Sequence, residues 1–187
     1  MKDKKVKEIM IPLSDYATVS EDETLASAIR ALKKAREDKK YVHKHRAVLV
    51  YDKNKKIVGK VSIRCILQSL EPKYCQIQNP EGHENIGLSR FGFSTDFLNS
   101  MIKNFCLWDE SLEEMVKHAS KSKVKDIMYT PSNGEYLDEE ASVAEAVHQF
   151  ILGCHQSLLV TKNKNVVGIL RLVDLFELVN DALEASK

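Results

Sequence analysis

Apolar residues recur along this chain with two spacings. At Leu25, Ala28, Ile29 and Leu32, and again at Val143, Ala146, Val147, Phe150 and Ile151, they fall three or four residues apart. That spacing lines one face of an α-helix. Elsewhere, short runs of Val, Ile and Leu read as strands: Ala47–Tyr51 with Ile57–Ser62, and 157–161 with 166–170. A polar Lys/Asn loop separates the members of each pair, as a hairpin requires. A shorter extended segment precedes each amphipathic helix, at 17–19 and at 135–137. A second helix follows each hairpin, at Ile63–Leu70 and 172–185. The predicted order is strand, helix, strand, strand, helix, read twice.

The order repeats because the sequence does. Val6-Lys7-Glu8-Ile9-Met10 recurs as Val124-Lys125-Asp126-Ile127-Met128, and Lys53-Asn54-Lys55-Lys56-Ile57-Val58-Gly59 recurs as Lys162-Asn163-Lys164-Asn165-Val166-Val167-Gly168. The matching blocks come in the same order, the mark of a tandem duplication. The offset falls from 118 at the first block to 109 at the second, so the first copy carries nine extra residues around Asp38 to Arg46. Acidic turns (Glu21, Asp22, Glu23; Asp138, Glu139, Glu140) precede both amphipathic helices, where the helix dipole favours negative charge.

Residues 1–70 are read as one repeat, 124–187 as the other and 71–123 as a connector. The first part of the connector, 73–93, contains Pro80, Gly82, Gly87 and Gly92 and reads as loop. The second part reads as helical, from Phe97, Leu98, Met101, Ile102 and Phe105 to Leu112, Met115 and Val116. So apolar a stripe is driven to pack on the repeats or on a partner chain, with Trp108 as an anchor.

Composition narrows the classes. The chain has 187 residues, 43% of them hydrophobic, and 28 Lys+Arg against 27 Asp+Glu leave a net charge of +1. That balance offers no global field for nucleic acid or anionic lipid. No stretch is long and apolar enough to span a bilayer or serve as a signal peptide. Cys65, Cys75, Cys106 and Cys154 are scattered, so they read as free thiols, two or three of them packed inside, in a reducing cytoplasm.

With its V-x-[DE]-I-M openings and two strands ending in an apolar-V-G turn, the chain resembles the CBS domain family, whose members occur as tandem pairs. The resemblance covers Val6 to about Leu70 and Val124 to about Leu183. It implies an α+β fold of two CBS-type β-α-β-β-α repeats packed about a pseudo-two-fold axis, with two clefts between them and the partly helical connector outside. It also implies a homodimer and a regulatory role: sensing an adenosine compound such as AMP, ADP, ATP or S-adenosylmethionine and signalling to an unidentified effector protein. No cofactor is required by that role. The family's ligand signature is Gly, two apolar residues, Thr or Ser, two residues, then Asp. Its hydroxyl donates to a phosphate and its carboxylate accepts from ribose hydroxyls. The first copy reads Gly59-Lys60-Val61-Ser62-Ile63-Arg64-Cys65, keeping the hydroxyl and losing the carboxylate. The second reads Gly168-Ile169-Leu170-Arg171-Leu172-Val173-Asp174, keeping the carboxylate, with Arg171 in place of the hydroxyl. A guanidinium forks onto phosphate oxygens, so Arg171 and Asp174 together suit a phosphorylated ribose; equally, they suit an ion pair with each other. Arg46, just before its strand, and His155, placed as its counterpart, are further candidate phosphate contacts.

Other constellations carry less. The basic stretch Lys33 to Arg46 reads as a solvated helix end rather than a nucleic-acid surface, since Glu37 and Asp38 interrupt it. His43 and His45 could begin a metal site, but no third ligand is near in sequence, and no metal is expected. There is no nucleophile elbow, phosphate-binding glycine loop or H-E-x-x-H, so no catalytic residue is assigned and the chain is not read as an enzyme. The expectation is a cytoplasmic nucleotide sensor. The alternatives are a scaffold with closed clefts that binds no nucleotide and, further off, a nucleic-acid-binding protein.

Overall fold

The structure, a computed structural model, describes residues 4–37, 44–74 and 94–186. Residues 75–93 of the expected loop, most of the first-copy insertion, His43 and Cys75 lie outside the described residues. The first repeat comprises β1 (Ile11–Pro12), β2 (Thr18–Ser20), α1 (Leu25–Glu37), β3 (Ala47–Tyr51), β4 (Ile57–Ser62) and α2 (Ile63–Leu70). The connector supplies α3 (Thr95–Asn104) and α4 (Leu112–Ala119). The second repeat runs through α5 (Val124–Ile127), β5 (Tyr136–Asp138), α6 (Val143–Gly153), β6 (Ser157–Lys162), β7 (Asn165–Arg171) and α7 (Leu172–Glu184). The predicted order holds in both repeats, with β2 and β5 displaced one residue from the expected segments.

Each repeat forms a small sheet, β2-β3-β4 and β1-β7-β6-β5, in which the short lead strand runs parallel to its neighbour and the hairpin antiparallel. Strand alternation sorts the side chains into layers. Val48, Val50 and Val61 turn outward to Leu25, Ala28 and Leu32 of α1. Leu158, Val160 and Leu170 do the same against Val143, Ala146 and Phe150 of α6. The opposite faces meet at the centre, where Leu49 packs with Leu159, Ile169, Ile11 and Tyr16. The result is helix, sheet, sheet, helix. Central strands covered on both faces explain why residues 47–50 and 158–160 are apolar without a break.

The repeats are not separate units, because their opening segments are exchanged. Val6 is fully buried in the second repeat's outer cluster, and Val124 in the first's. The Val6 and Lys7 N–H groups donate to the carbonyls of Ala141 and Glu139, and those of Val124 and Lys125 to Glu23 and Glu21. β1 then pairs with β7, Pro12 opposite Gly168, while Tyr129 pairs with Lys60 beside Gly59. Backbone crowding requires the glycine at 168, while Gly59 is crowded chiefly by a flexible methionine side chain. A Cβ on Gly168 would lie 2.6 Å from the Ile11 carbonyl oxygen, and one on Gly59 2.7 Å from Met128 Sδ.

The acidic turns serve the exchange more than the helix dipole. Lys7 pairs with Glu140 at 2.5 Å and Lys125 with Asp22 at 3.3 Å. Helix α6 is instead capped by Ser142 and Glu145 in a reciprocal capping box.

Of the nine extra residues in the first copy, eight precede β3 and one lies in the hairpin. The second hairpin turns on Asn163 and Lys164 alone, both left-handed (φ 49° and 65°), the two-residue turn that matches strand twist. The first needs 52–56, closed by Asn54 and Lys56 N–H groups donating to Asp52 Oδ1.

The connector packs through Leu107, Met115 and Ala119, the last joining the first repeat's core, while Phe97, Leu98, Ile102 and Phe105 stay exposed. Leu112 and Val116 are exposed as well, so Met115 is the one residue of the expected apolar stripe that is buried. Trp108 is an anchor at its polar atoms: the backbone N–H donates to Glu71 and the indole N–H to the Tyr74 hydroxyl. Three of the four thiols lie among the described residues. Cys65 is buried, but Cys106 and Cys154 are exposed, because both sit on left-handed residues at the ends of helical segments rather than on a packed face.

Candidate functional site

Exchange of the openings creates two clefts of common construction. In each, the junction of a glycine-bearing strand with its following helix is faced by the other repeat's opening segment. The first has the β4–α2 junction opposite Tyr129 to Glu135. The second has the β7–α7 junction opposite Ile11 to Tyr16.

At the first junction Ser62 is the N-cap of α2, its Oγ accepting from the Cys65 N–H at 3.2 Å and lying 3.1 Å from Cys65 Sγ. That hydroxyl is committed to capping, the ordinary use of a Ser at this position. Arg46 stands at the same end of the repeat, its carbonyl accepting from Ile63 and its side chain exposed.

Between the repeats here lies a buried network that the sequence reading missed. Lys60 Nζ is 2.9 Å from Glu135 Oε2, donates to Ser157 Oγ at 3.3 Å and stands 5.1 Å from the Tyr129 ring centroid. Glu135, 3% exposed, also accepts from the Tyr129 hydroxyl and from the Ser132 N–H. Burial pushes its carboxyl up, but the hydrogen bonds from Tyr129 and Lys60 outweigh this and hold it below the usual carboxylate range. One signal was available in the sequence: Lys60 interrupts an apolar strand where the second copy has Ile169.

At the second junction Arg171 and Asp174 meet directly. Arg171 Nε is 2.9 Å from Asp174 Oδ2 and Nη2 is 2.5 Å from Oδ1, so the contact is a two-pronged fork. The same carboxylate accepts the Arg171 backbone N–H at 3.0 Å, which satisfies one of the free donors at the start of α7. The two side chains are 9% and 16% exposed. Tyr16 stands close enough to feel both charges. Burial pushes its phenol up to about 12, Arg171 working against this and Asp174 with it. Its ring stacks on His45, with centroids 4.3 Å apart. On its other side Tyr16 lines an open cavity of about 530 Å³ with Ser14, Thr18, Tyr51, Lys55 and Ile57.

The register separates the two remaining candidates. Arg46 and Gln156 hold equivalent places, each carbonyl accepting from the first residue of the following helix, so His155 is the counterpart of His45, not of Arg46. The single-residue difference between hairpins causes the slip. His155 is half-buried against Gly153, its N–H donating to the Phe150 carbonyl. The structure thus sets Arg46 near Ser62 at one junction and joins Arg171 to Asp174 at the other, while the His155 imidazole lies beside Gly153 and Gly134. Among the described residues no three His, Cys, Asp or Glu side chains are grouped to hold a metal, and no helix is long and apolar enough to cross a membrane.

A family model for the CBS domain matches residues 6–72 and 124–181. Solved structures with the same fold include a CBS-domain-containing protein of unknown function from Bacillus anthracis, at 20% identity and TM-score 0.62, with 96% of this chain and 95% of that one covered. The protein CBSX2, solved in complex with AMP, aligns at 16% identity and TM-score 0.57 over 98% of both chains. The CBS domain of a bacterial CNNM/CorC family Mg2+ transporter, solved in complex with ATP, aligns at 16% identity and TM-score 0.57, covering 94% and 87%. No curated protein matches the chain.

Proposed function

The chain belongs to the CBS domain family, and from that premise we propose that it is a regulatory module whose second cleft takes a phosphorylated adenosine compound. The observation that carries this reading is the Arg171–Asp174 fork at the start of α7, beside Tyr16. A phosphorylated ribose offers both partners a replacement: phosphate oxygens for the guanidinium and ribose hydroxyls for the carboxylate. Neither buried charge is then left unpaired, which is the condition for opening such a pair at small cost. Plain adenosine supplies only half of the exchange and binds more weakly. The AMP-bound and ATP-bound structures of the same fold support the ligand class. CBS pairs of this kind are regulatory rather than catalytic, and the bound state is passed to an effector protein.

One observation favours a second reading. Every strong donor and acceptor of the signature residues is already engaged: Ser62 by its own helix, Asp174 by Arg171. A chain whose clefts stay closed acts as a scaffold. Thermal melting with adenosine, AMP, ADP, ATP and S-adenosylmethionine separates the two. A ligand at a hundred times its dissociation constant stabilises the fold by about 2.7 kcal/mol, a visible shift. The nucleotide reading expects the shift from the phosphorylated compounds and its loss in Asp174→Ala. No shift at millimolar concentration rejects it in favour of the scaffold.

Self-association belongs to the same proposal. Leu172, Phe176, Val179 and Leu183 form an exposed apolar stripe along α7, and a two-fold contact between copies is the common way to cover one. Sedimentation finding only the 21.3 kDa species at micromolar concentration rejects it.

A further inference from the structure

A cavity of about 340 Å³ lies outside both clefts, where the end of α2 meets the connector. Leu70, Met115 and Ala119 give it apolar walls. Glu71, Asp109 and Glu110 set three carboxylates around it, against Lys73 and His118. Neither cleft uses any of these residues.

Glu71 is placed against the usual preference. It is the C-cap of α2, its N–H donating to the Gln68 carbonyl. The C-terminus of a helix is the negative end of its dipole, where a cation is favoured. The last turn of α2 contains no basic residue, and the chain instead buries a carboxylate there, 4% exposed. That carboxylate accepts from the Lys73 N–H at 3.3 Å and from the Trp108 N–H at 2.9 Å. Both donors are neutral amides, and a carboxylate has room for about four hydrogen bonds. Among the described residues Glu71 makes no ion pair. Lys73 is the nearest cation in sequence, yet its ammonium donates to the Cys106 carbonyl. His118 Nδ1 stands 3.4 Å from Glu110 instead. Burying a charge without a counter-charge is costly, and departures from local preference of this kind collect where a site needs them.

We propose that this cavity binds an ammonium group on an aliphatic stem, carried by a free amine or by a lysine side chain. The ammonium pairs with Glu71 at the negative end of α2, and the stem lies on Leu70, Met115 and Ala119. A bare metal ion suits the cavity less. It leaves the apolar walls uncovered, and among the described residues no three His, Cys, Asp or Glu side chains are grouped to hold one. Asp109 and Glu110, both exposed, draw the cation in from solvent. Occupancy ties α2 to the connector at the end of the helix opposite Ser62, and this is independent of nucleotide in the second cleft.

Trp108 is the chain's one tryptophan and its N–H bonds Glu71, so its fluorescence reads the site. The test is titration of the full chain with n-butylammonium, with n-butanol and magnesium chloride as controls at constant ionic strength. The proposal expects a saturable fluorescence change from butylammonium and none from butanol. Glu71→Gln, which keeps the shape and removes the charge, weakens binding by about tenfold or more. Ser69→Met fills the cavity and leaves Glu71 in place; it weakens binding as well, so the test survives a Glu71 variant that circular dichroism finds unfolded. A capped lysine, Nα-acetyl-lysine methylamide, binding more tightly than butylammonium assigns the site to a partner's lysine; equal or weaker binding assigns it to a free amine. Magnesium competing as well as butylammonium reduces the site to an acidic surface and overturns the proposal. So do an unaltered titration in both variants and the absence of any saturable response. The nucleotide melting shift is read without amine, and its failure leaves this result untouched.

Discussion

The two clefts have one backbone plan and opposite chemistry. Lys60, Tyr129, Glu135 and Ser157 of the first correspond to Ile169, Ile11, Ala17 and Ala47 of the second. A buried ionic network ties the repeats together on one side, and aliphatic side chains do so on the other. At the helix starts the contrast reverses: Ser62 and Cys65 are neutral, Arg171 and Asp174 charged. Each half places its charges where the other does without them. The fold needs the space filled and every buried polar group partnered; it does not need a particular solution. The first cleft spends its charges on joining repeats. The second pairs its charges with each other at the start of α7.

The largest test of this contrast is to break the network from one side. Glu135→Ala leaves Lys60 buried without its carboxylate and should cost about 3 kcal/mol in urea unfolding. Lys60→Ile with Glu135→Ala copies the second cleft and should recover more than half of that loss. If the double variant is no more stable than the single, the two solutions are not interchangeable. In the second cleft, Asp174→Ala strands Arg171 and should cost about 2 kcal/mol. The matching change Cys65→Ala removes only a small apolar group and should cost about 1 kcal/mol or less.

A smaller effect separates the clefts by pH. The Glu135 carboxyl lies low in the folded chain, so its stabilisation is present at neutral pH and is lost as pH falls through that depressed value. Glu135→Gln should flatten the acid limb of the stability profile. Tyr16 is the reverse case. The unfolded chain begins to release its phenolic proton near pH 10, while the folded chain holds it to about 12, so stability falls as pH rises through that window. Tyr16→Phe should flatten the alkaline limb and leave the acid limb alone. Identical limbs in the variants and the parent would remove both residues from the pH response. The smallest expected effect is Ser62→Ala, about 1 kcal/mol from the lost cap, with no change in any nucleotide melting shift.

The order of elements was legible because burial imposes a spacing on side chains, and duplication showed that spacing twice. Arg171 and Asp174 were legible as neighbours on a helix start, and both outcomes named for them, ligand contact or mutual pairing, follow from three-residue spacing. Which repeat receives which opening segment was not legible. Val6 and Val124 have the same local pattern whether each packs on its own sheet or on the other, so only the assembled backbone decides. The Lys60–Glu135 pair joins residues 75 apart in sequence, and no local rule links them. The assignment of His155 opposite Arg46 failed for a narrower reason. One extra residue in a hairpin moves the register by one, and a one-residue step turns a side chain to the other face of its strand.

Exchange of the opening segments also bears on how the chain is made. Val6 leaves the ribosome early, yet its binding partners, the carbonyl of Ala141 and the core around Leu170, emerge more than a hundred residues later. The first repeat in turn lacks Val124 until the connector has been synthesised. The first core can close only after Val124 has emerged, and the second must recover Val6 across the whole first repeat, a contact whose loop entropy must be met before it is rewarded. Folding should therefore be slow. A chain interrupted after α2 should remain sensitive to protease along its whole length, not end as a folded half.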